Sequence, residues 1–340
     1  MNEHSTSLEQ EIKRMVEVVN DRLAGYSPPL GSAAESLWRI FKRHSRGQIS
    51  SPEENKIRLA INSALKDERE IFMGICWAFG GMSLSGYKFR EPKVNLPRLG
   101  DLWGLFWLLI LNEKIKRIHP PGLKLIIADE EPHHFFLGHL PTKVARRQRI
   151  MTAVAAQYTS FITLTALPAY QGVAKAITIP EPSDEEILSI VGCLPQDNIP
   201  SAAFSQLYQE REKDWSTIRD LIPAAKWQEA REIIIKMLQI GEARKREGFF
   251  PHLFGFQPYI DAAITEKSRW SPKAWGKTCP QHGGSLLRRG DNGQFSITIT
   301  PESRLLAEGY QPIRLRGEEF GKLDPSLATD EEYTFYWLEP

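Results

Sequence analysis

The sequence lacks the short motifs by which several large enzyme classes are recognised. It contains neither a GxxxxGK[ST] phosphate loop nor a GxGxxG dinucleotide fingerprint, and GxSxG and HExxH are also absent. Nothing in it therefore indicates the usual sites for ATP, NAD or a standard methyl donor. The missing GxSxG and HExxH argue against a hydrolase nucleophile elbow and a zinc protease.

Cysteine is scarce and long apolar runs are short. The three cysteines, Cys76, Cys193 and Cys279, are odd in number and far apart, which predicts a reducing compartment and no disulfide framework. The most apolar run, Leu102–Leu111, is half the roughly 20 residues that a membrane span needs. The first twenty residues are charged throughout and show no signal-peptide core. We expect a cytoplasmic protein without a membrane partner.

An excess of charge of one sign is missing as well. Lys and Arg number 43 and Asp and Glu 42, a net charge of +1, so a dedicated nucleic-acid binder is disfavoured. The 340 residues are 41% hydrophobic and 25% charged, which is ordinary globular composition. This length suits two domains of about 150 residues or one elaborated domain.

Hydrophobic patterning divides the chain into four parts. Helical spacing dominates residues 1–70, which we interpret as an N-terminal helical cap. Its first helix is predicted to begin with Ser7 as the cap residue and Glu9 and Glu11 in the first turn. Helix–strand alternation over residues 71–180 predicts a Rossmann-like α/β core with a parallel sheet. Residues 181–248 form a predicted helical segment. Residues 249–340 form a smaller C-terminal α+β part that completes the active site, with Asp291-Asn292-Gly293 predicted as a hairpin turn.

Within the core, the pattern predicts individual elements. A helix over Leu102–Ile118 is stopped by the His-Pro-Pro-Gly that follows it. Leu123–Ala128 is a short buried strand. Further along, a helix over Thr142–Gln157 leads to a strand over Tyr158–Leu167. Ile71–Phe79 is apolar enough for either a strand or a buried helix, and periodicity does not decide between them.

Two residues are candidates for proton transfer. Asp129 directly follows the strand Leu123–Ala128, and ligands of parallel sheets bind beyond the carboxyl ends of strands. A solvated acidic turn explains it equally well. His282 precedes Gly283-Gly284, where backbone can approach a ligand closely, and imidazole is the natural proton shuttle near neutral pH. On this feature alone a structural histidine is the better interpretation.

The segment around His282 also contains an incomplete zinc-binding pattern. Cys279 and His282 have the spacing of half a structural zinc site, which needs four ligands. No second pair exists, and His252 is the only nearby addition. A small buried residue is the preferred interpretation of Cys279.

Two basic loops studded with aromatic residues could bind anions. The first, residues 87–93, carries Arg90 and Lys93, and the second, residues 266–273, carries Lys267 and Arg269. Arginine forks and lysine point charges bind phosphates and carboxylates well. Both loops could instead be ordinary solvated surface. Single-stranded nucleic acid also suits such loops, but the balanced net charge weakens that option.

Several segments, taken in order, resemble the isocyanide (isonitrile) synthases. LPRLGD at 96–101 is similar to the family's Leu-Pro-Asp-x-Gly-Glu, which opens a long helix. IHPPG at 118–122, with the strand ending at Asp129, resembles its helix end, Pro-Gly and strand ending in Ser-Asp-Gly. FFLG at 135–138 follows in both. TCPQHG at 278–283 resembles Thr-Pro-Trp-His-Gly, and residues 286–295 continue the match. The shared order over roughly residues 83–310 carries the resemblance.

The resemblance implies an enzyme that joins an L-amino acid, typically tyrosine or tryptophan, to the sugar phosphate ribulose 5-phosphate. The amine would condense with the C2 ketone, and loss of water and phosphate with carbon–carbon cleavage would leave C2 as the isonitrile carbon. No cofactor and no metal are implied, and a homodimer is left open. Such chemistry needs proton transfer and cationic groups for phosphate and carboxylate.

Carried over by position, Asp129 and His282 match the Asp of Ser-Asp-Gly and the His of Thr-Pro-Trp-His-Gly. Asn95 matches the Asn that ends a proline-rich loop of the family, and Lys93 is displaced from its lysine by one position. We therefore expect His282, Asp129 and Lys93 to be catalytic. Arg90, Asn95, Lys267 and Arg269 are the expected substrate-binding residues.

The chain also departs from the family. Glu130 and Glu131 stand where the family has Gly-Arg, and its Ser-Ile-His segment has no counterpart here. The alternative is a divergent relative that binds an amino acid, a phosphorylated metabolite or a pathway partner, with different chemistry or none. The two hypotheses differ in whether Asp129, His282 and the basic loops converge on one enclosed cavity, which we expect.

Overall fold

The computed structural model describes residues 6–77, 99–128, 141–165, 178–192, 202–210, 213–246, 249–263, 269–273, 283–290 and 295–338. Its helices are α1 (Leu8–Leu23), α2 (Ala33–Arg43), α3 (Ser51–Lys66), α4 (Asp101–Lys116), α5 (Pro141–Ala156), α6 (Asp184–Gly192), α7 (Ala202–Glu210), α8 (Trp215–Leu221), α9 (Ala224–Arg246), α10 (Phe249–Leu253) and α11 (Glu302–Ala307). Its strands are β1 (Ile71–Cys76), β2 (Leu123–Ala128), β3 (Ile162–Thr165), β4 (Tyr259–Ala262), β5 (Gly283–Arg289), β6 (Phe295–Pro301), β7 (Gln311–Arg316) and β8 (Glu332–Leu338).

Local sequence signals explain how the first helix begins. The Ser7 side chain accepts a hydrogen bond from the Gln10 backbone N–H, and the Gln10 side chain accepts one from Ser7 N–H. This capping box satisfies two donors that the helix itself leaves unpaired. Glu9 lies in the first turn, next to the positive end of the helix dipole. The predicted helix with a Ser7 cap is confirmed.

The first four strands form a parallel sheet in the order β3-β2-β1-β4. The segment that periodicity left undecided, beginning at Ile71, is therefore a strand. Ile71, Met73 and Ile75 face the main core and are fully buried. Gly74 faces the opposite side, where a Cβ would lie 2.4 Å from the Phe250 ring of α10. Helices therefore cover both faces of this sheet, as parallel sheets require.

Helix α4 connects β1 to β2 and ends as the sequence predicts. Gly122 adopts a φ of +73°, which glycine accepts without steric cost. The buried Asn112 side chain accepts a 2.8 Å hydrogen bond from the N–H of Leu123, the first residue of β2. Because β1 and β2 are parallel, α4 carries the chain back from the carboxyl edge of the sheet to its amino edge.

The last four strands of the chain form a second sheet, of order β6-β5-β8-β7. Strands β5 and β6 pair antiparallel, with Gly283 opposite Pro301 and Arg289 opposite Phe295. The predicted hairpin pairing is thus present, while its turn at residues 291–293 lies outside the described part. Strand β5 also pairs in parallel with β8, which makes this sheet mixed.

One hydrophobic core joins α1–α5, one face of the parallel sheet and the second sheet. A separate core lies among α6–α9 around Phe204 and Trp227. The expected fold class is confirmed: an α/β protein with an all-parallel sheet, many helices and a smaller second sheet. The boundaries of the four parts, at residues 70, 180 and 248, stay predictions.

Candidate functional site

The parallel sheet itself indicates where a ligand would bind. From β1 the chain proceeds to β2 and β3 on one side and later returns to place β4 on the other side of β1. The strand order therefore reverses between β1 and β4. In open parallel sheets ligands bind outside the carboxyl ends of the strands at such a point.

Connectivity brings most of the sequence-predicted residues to segments that leave this edge. Arg90, Lys93 and Asn95 belong to the segment after β1, Asp129 is bonded to the last residue of β2, and Lys267 belongs to the segment after β4. These three strands are neighbours in the sheet. The five residues themselves fall outside the described ranges, so the expected convergence of their side chains stays a prediction.

His282 also falls outside the described ranges, but the strand that follows it has a defined position. The Ser285 hydroxyl in β5 donates a 2.6 Å hydrogen bond to the carbonyl of Gly100, the residue before α4. The N–H of Leu99 donates a 2.7 Å bond to the carbonyl of Thr334 in β8. The second sheet therefore lies against the start of α4, which is the end of that helix nearer the carboxyl edge.

Arg269 is the one predicted site residue that the structure describes. Its guanidinium forms a 3.1 Å ion pair with Asp261 of β4, and the two side chains are 33% and 30% exposed. The Arg269 charge, which the sequence analysis assigned to substrate binding, is thus already paired with Asp261 of the same protein. An exposed pair of this kind keeps water around both groups and contributes little stability by itself, so the guanidinium could exchange partners.

The chain next to Arg269 is held in place by buried hydrogen bonds. Trp270 is fully buried, and its indole N–H donates to the carbonyl of Phe41 at 2.9 Å. Its backbone N–H donates to a carboxylate oxygen of Glu53 at 3.2 Å. Burial raises the pKa of Glu53, and the Trp270 bond partly opposes the rise. Trp270, three residues after Lys267 in the chain, is therefore held by hydrogen bonds to α2 and α3.

Sequence reasoning missed a buried ion pair near the same edge. Asp101, the first residue of α4, contacts Arg147 of α5 at 2.7 Å, and the two side chains are 2% and 8% exposed. Asp101 also benefits from the positive end of the α4 dipole. The only sequence signal was an acid at a helix start. Its partner lies 46 residues away, and no local pattern predicts such a contact.

The described residues hold no group of three or more metal-ligating side chains. Cys279 and His282, the candidate half of a zinc site, fall outside the described residues, and so does the side chain of His252. No helix among the described ranges combines the length and the apolar character that crossing a membrane requires. The cytoplasmic location, the small-molecule substrates and the homodimer stay predictions.

Comparison with known proteins finds a likeness of fold to a solved structure. No family profile matches the sequence, and no curated protein matches it. The crystal structure of the PvcA protein from Pseudomonas aeruginosa superposes with a TM-score of 0.52 at 13% sequence identity. The match covers 91% of this chain and 100% of that one. At this identity the likeness shows a shared fold.

Proposed function

We propose that this protein is a biosynthetic enzyme of the isonitrile synthase type. PvcA is a biosynthesis protein related to pyoverdine and isonitriles, and its fold extends over 91% of this chain. The observation that supports the proposal is where the similar segments lie relative to the helices and strands of this chain. LPRLGD leads into α4, IHPPG leads into β2, and TCPQHG ends at the first residue of β5.

The reaction we propose joins an L-amino acid to ribulose 5-phosphate. The amine condenses with the C2 ketone and water is lost. Both carbon–carbon bonds of C2 then break, with release of C1 as formaldehyde and of C3–C5 as a three-carbon compound and phosphate, and C2 remains as the isonitrile carbon. His282 and Asp129 transfer protons, with Lys93 as a third catalytic group. The cations that follow β1 and β4 hold the phosphate and the carboxylate, since oxyanions are bound best by charged donors.

Incubation with ribulose 5-phosphate and the separate amino acids, followed by mass spectrometry, tests this proposal. We expect an isonitrile product with one amino acid, tyrosine or tryptophan being the first choices. Label from [2-13C]ribulose 5-phosphate should appear in the product, whereas label from C1 should not. Tight binding of both substrates without any product would instead support the alternative, a non-catalytic relative. Glu130 and Glu131, which replace the family's Gly-Arg, favour that alternative.

Removal of single cations should weaken sugar-phosphate binding. Arg90→Ala, Lys93→Ala, Lys267→Ala and Arg269→Ala each delete a donor proposed to reach the phosphate. A charged hydrogen bond is worth about 1.5–3 kcal/mol, so the dissociation constant for ribulose 5-phosphate should rise about tenfold or more in at least one variant. Isothermal titration calorimetry measures this constant.

Lys322→Ala is a suitable control, because Lys322 is exposed and pairs with Glu319 at 2.8 Å. Its affinity should equal that of the wild type. Arg269→Ala also removes the ion pair with Asp261, so its thermal unfolding has to be compared as well. Unchanged affinity in all four variants would refute the assignment of these cations.

A further inference from the structure

A second group of cations surrounds His44, away from the carboxyl edge. Lys114 Nζ of α4 lies 3.4 Å from His44 Nε2. Arg43 directly precedes His44 at the end of α2, and the backbone N–H of Lys273 donates to the carbonyl of His44 at 2.9 Å. The charges of Arg43, Arg22 of α1 and Lys273 lower the pKa of His44, after the larger effects of burial and of Lys114. We call Arg22, Arg43, Lys114 and Lys273, together with His44, the cationic cluster.

Arg117, which lies near the cationic cluster, has an ordinary structural role that the members of the cluster do not share. The ends of α1, α2 and α4 meet here, and helix carboxyl ends favour cations. Arg117 has this role, because its guanidinium donates to the carbonyls of Leu23 and Tyr26. Lys114 lies over the Tyr26 ring at 4.9 Å and beside His44. Within the described part of the chain it forms no ion pair with a carboxylate.

Nearby carboxylates on the same helices are engaged elsewhere. Asp21, next to Arg22, accepts a 2.9 Å hydrogen bond from the N–H of Phe295. Glu113, next to Lys114, pairs with Lys116 at 2.9 Å. Burial first and then Arg22, Arg43 and Arg117 lower the pKa of Lys114. Lys114 is half-buried, whereas Arg22, Arg43 and Lys273 are exposed. Like charges beside a half-buried ammonium disfavour its charged form, and an anion among them would relieve that cost.

His44 holds Lys114 in place for anion binding. Its pKa is lowered to about 4, chiefly by burial, so the ring is neutral at pH 7 and its Nε2 accepts a hydrogen bond from the Lys114 ammonium without adding to the repulsion. The ring lies 5.3 Å from that of Trp107, edge to face, which orients it. The ammonium keeps two further N–H donors, and the oxygens of a phosphate group can accept from these and from a guanidinium fork.

We propose that the cationic cluster is a binding site for the phosphate group of a small, soluble metabolite. Lys114 lies 13 residues after the start of α4, about 20 Å along the helix axis. The site is therefore remote from the carboxyl edge where the substrates of the proposed reaction would bind. It goes beyond that proposed function and does not depend on it. The whole-chain charge of +1 argues for a small ligand over a nucleic acid.

Calorimetric titration with inorganic pyrophosphate and inorganic phosphate tests the site in the full chain. Lys114→Met keeps the length and apolar body of the side chain and removes its charge. We expect the dissociation constant to rise at least tenfold. Lys13→Met, a change at an exposed lysine of α1 nine residues before Arg22 and so about 14 Å away along the helix axis, is the control and should bind as the wild type does. Arg43→Gln, a change at an exposed residue, should also weaken binding.

A second measurement locates the anion. In the wild type the ring resonances of His44, assigned through His44→Asn, should shift on addition of pyrophosphate, and the shift should vanish in Lys114→Met. The proposal is overturned if the wild type binds neither anion, or if Lys114→Met binds as tightly as Lys13→Met. Binding lost in Lys267→Ala but kept in Lys114→Met would place the anion at the carboxyl edge and overturn it too. Tighter binding of a single-stranded oligonucleotide than of pyrophosphate would refute the small-ligand assignment.

Discussion

His282→Ala should fold as the wild type does and lose roughly 10²–10⁴-fold in turnover, the usual cost of removing a general acid or base. The reason is chemical: imine formation and each later elimination move a proton, and imidazole is the side chain best suited to this near neutral pH. Product formation from ribulose 5-phosphate and the amino acid, followed by mass spectrometry, measures the loss. Thermal unfolding of the variant checks its fold.

His282→Gln separates proton transfer from positioning. An amide can donate and accept hydrogen bonds but cannot shuttle a proton, so this variant should be as inactive as His282→Ala. Near-normal turnover by His282→Gln would show that His282 only orients substrate or supports the segment before β5. The chain would then share the family's fold without its mechanism.

Asp101→Ala should destabilise the protein by about 3–5 kcal/mol, the range found when one partner of a buried ion pair is removed. The variant removes the carboxylate that the Arg147 guanidinium contacts at 2.7 Å, and the Arg147 side chain is only 8% exposed, so water can do little to replace that contact. The loss should appear as a lower urea midpoint at an unchanged slope. Turnover should fall as well, since the pair joins the start of α4 to α5 near the candidate site.

An exposed pair provides the matched control for Asp101→Ala. Arg304 and Glu308 of the C-terminal part lie 2.6 Å apart, with side chains 67% and 38% exposed. Arg304→Ala should therefore leave the urea midpoint close to that of the wild type. Equal, small effects of the two variants would show that the buried pair is not a structural link between α4 and α5.

Local signals in the sequence predicted most elements well. Ser7 and the spacing of the residues after it predicted α1, and the Pro-Pro-Gly after Ile118 predicted the end of α4. Leu123–Ala128 was recognised as a strand with its observed limits. These features depend on capping, backbone preference and periodicity, all of which act within a few residues. The strand predicted over Tyr158–Leu167 begins later, at Ile162, because Gln157 and Tyr158 form a turn after α5.

The candidate site was predictable only in part. A residue that follows a parallel strand is expected near a ligand, and Asp129 was selected in this way. The Asp101–Arg147 pair was missed because it depends on how two crossover helices pack. The cationic cluster was missed for the same reason, since Arg22, His44, Lys114 and Lys273 come from four separate stretches of chain.

By itself the sequence determined the helices and strands, the α/β class and the basic and acidic residues available for chemistry. Only the tertiary structure decided that the segment beginning at Ile71 is a strand, that β1 lies between β2 and β4, and that β5 pairs with both β6 and β8. The physical reason is the range of the interactions. Helix caps and periodicity are local, whereas strand order and buried ion pairs depend on contacts between residues far apart in the chain, which form only when the whole core is packed.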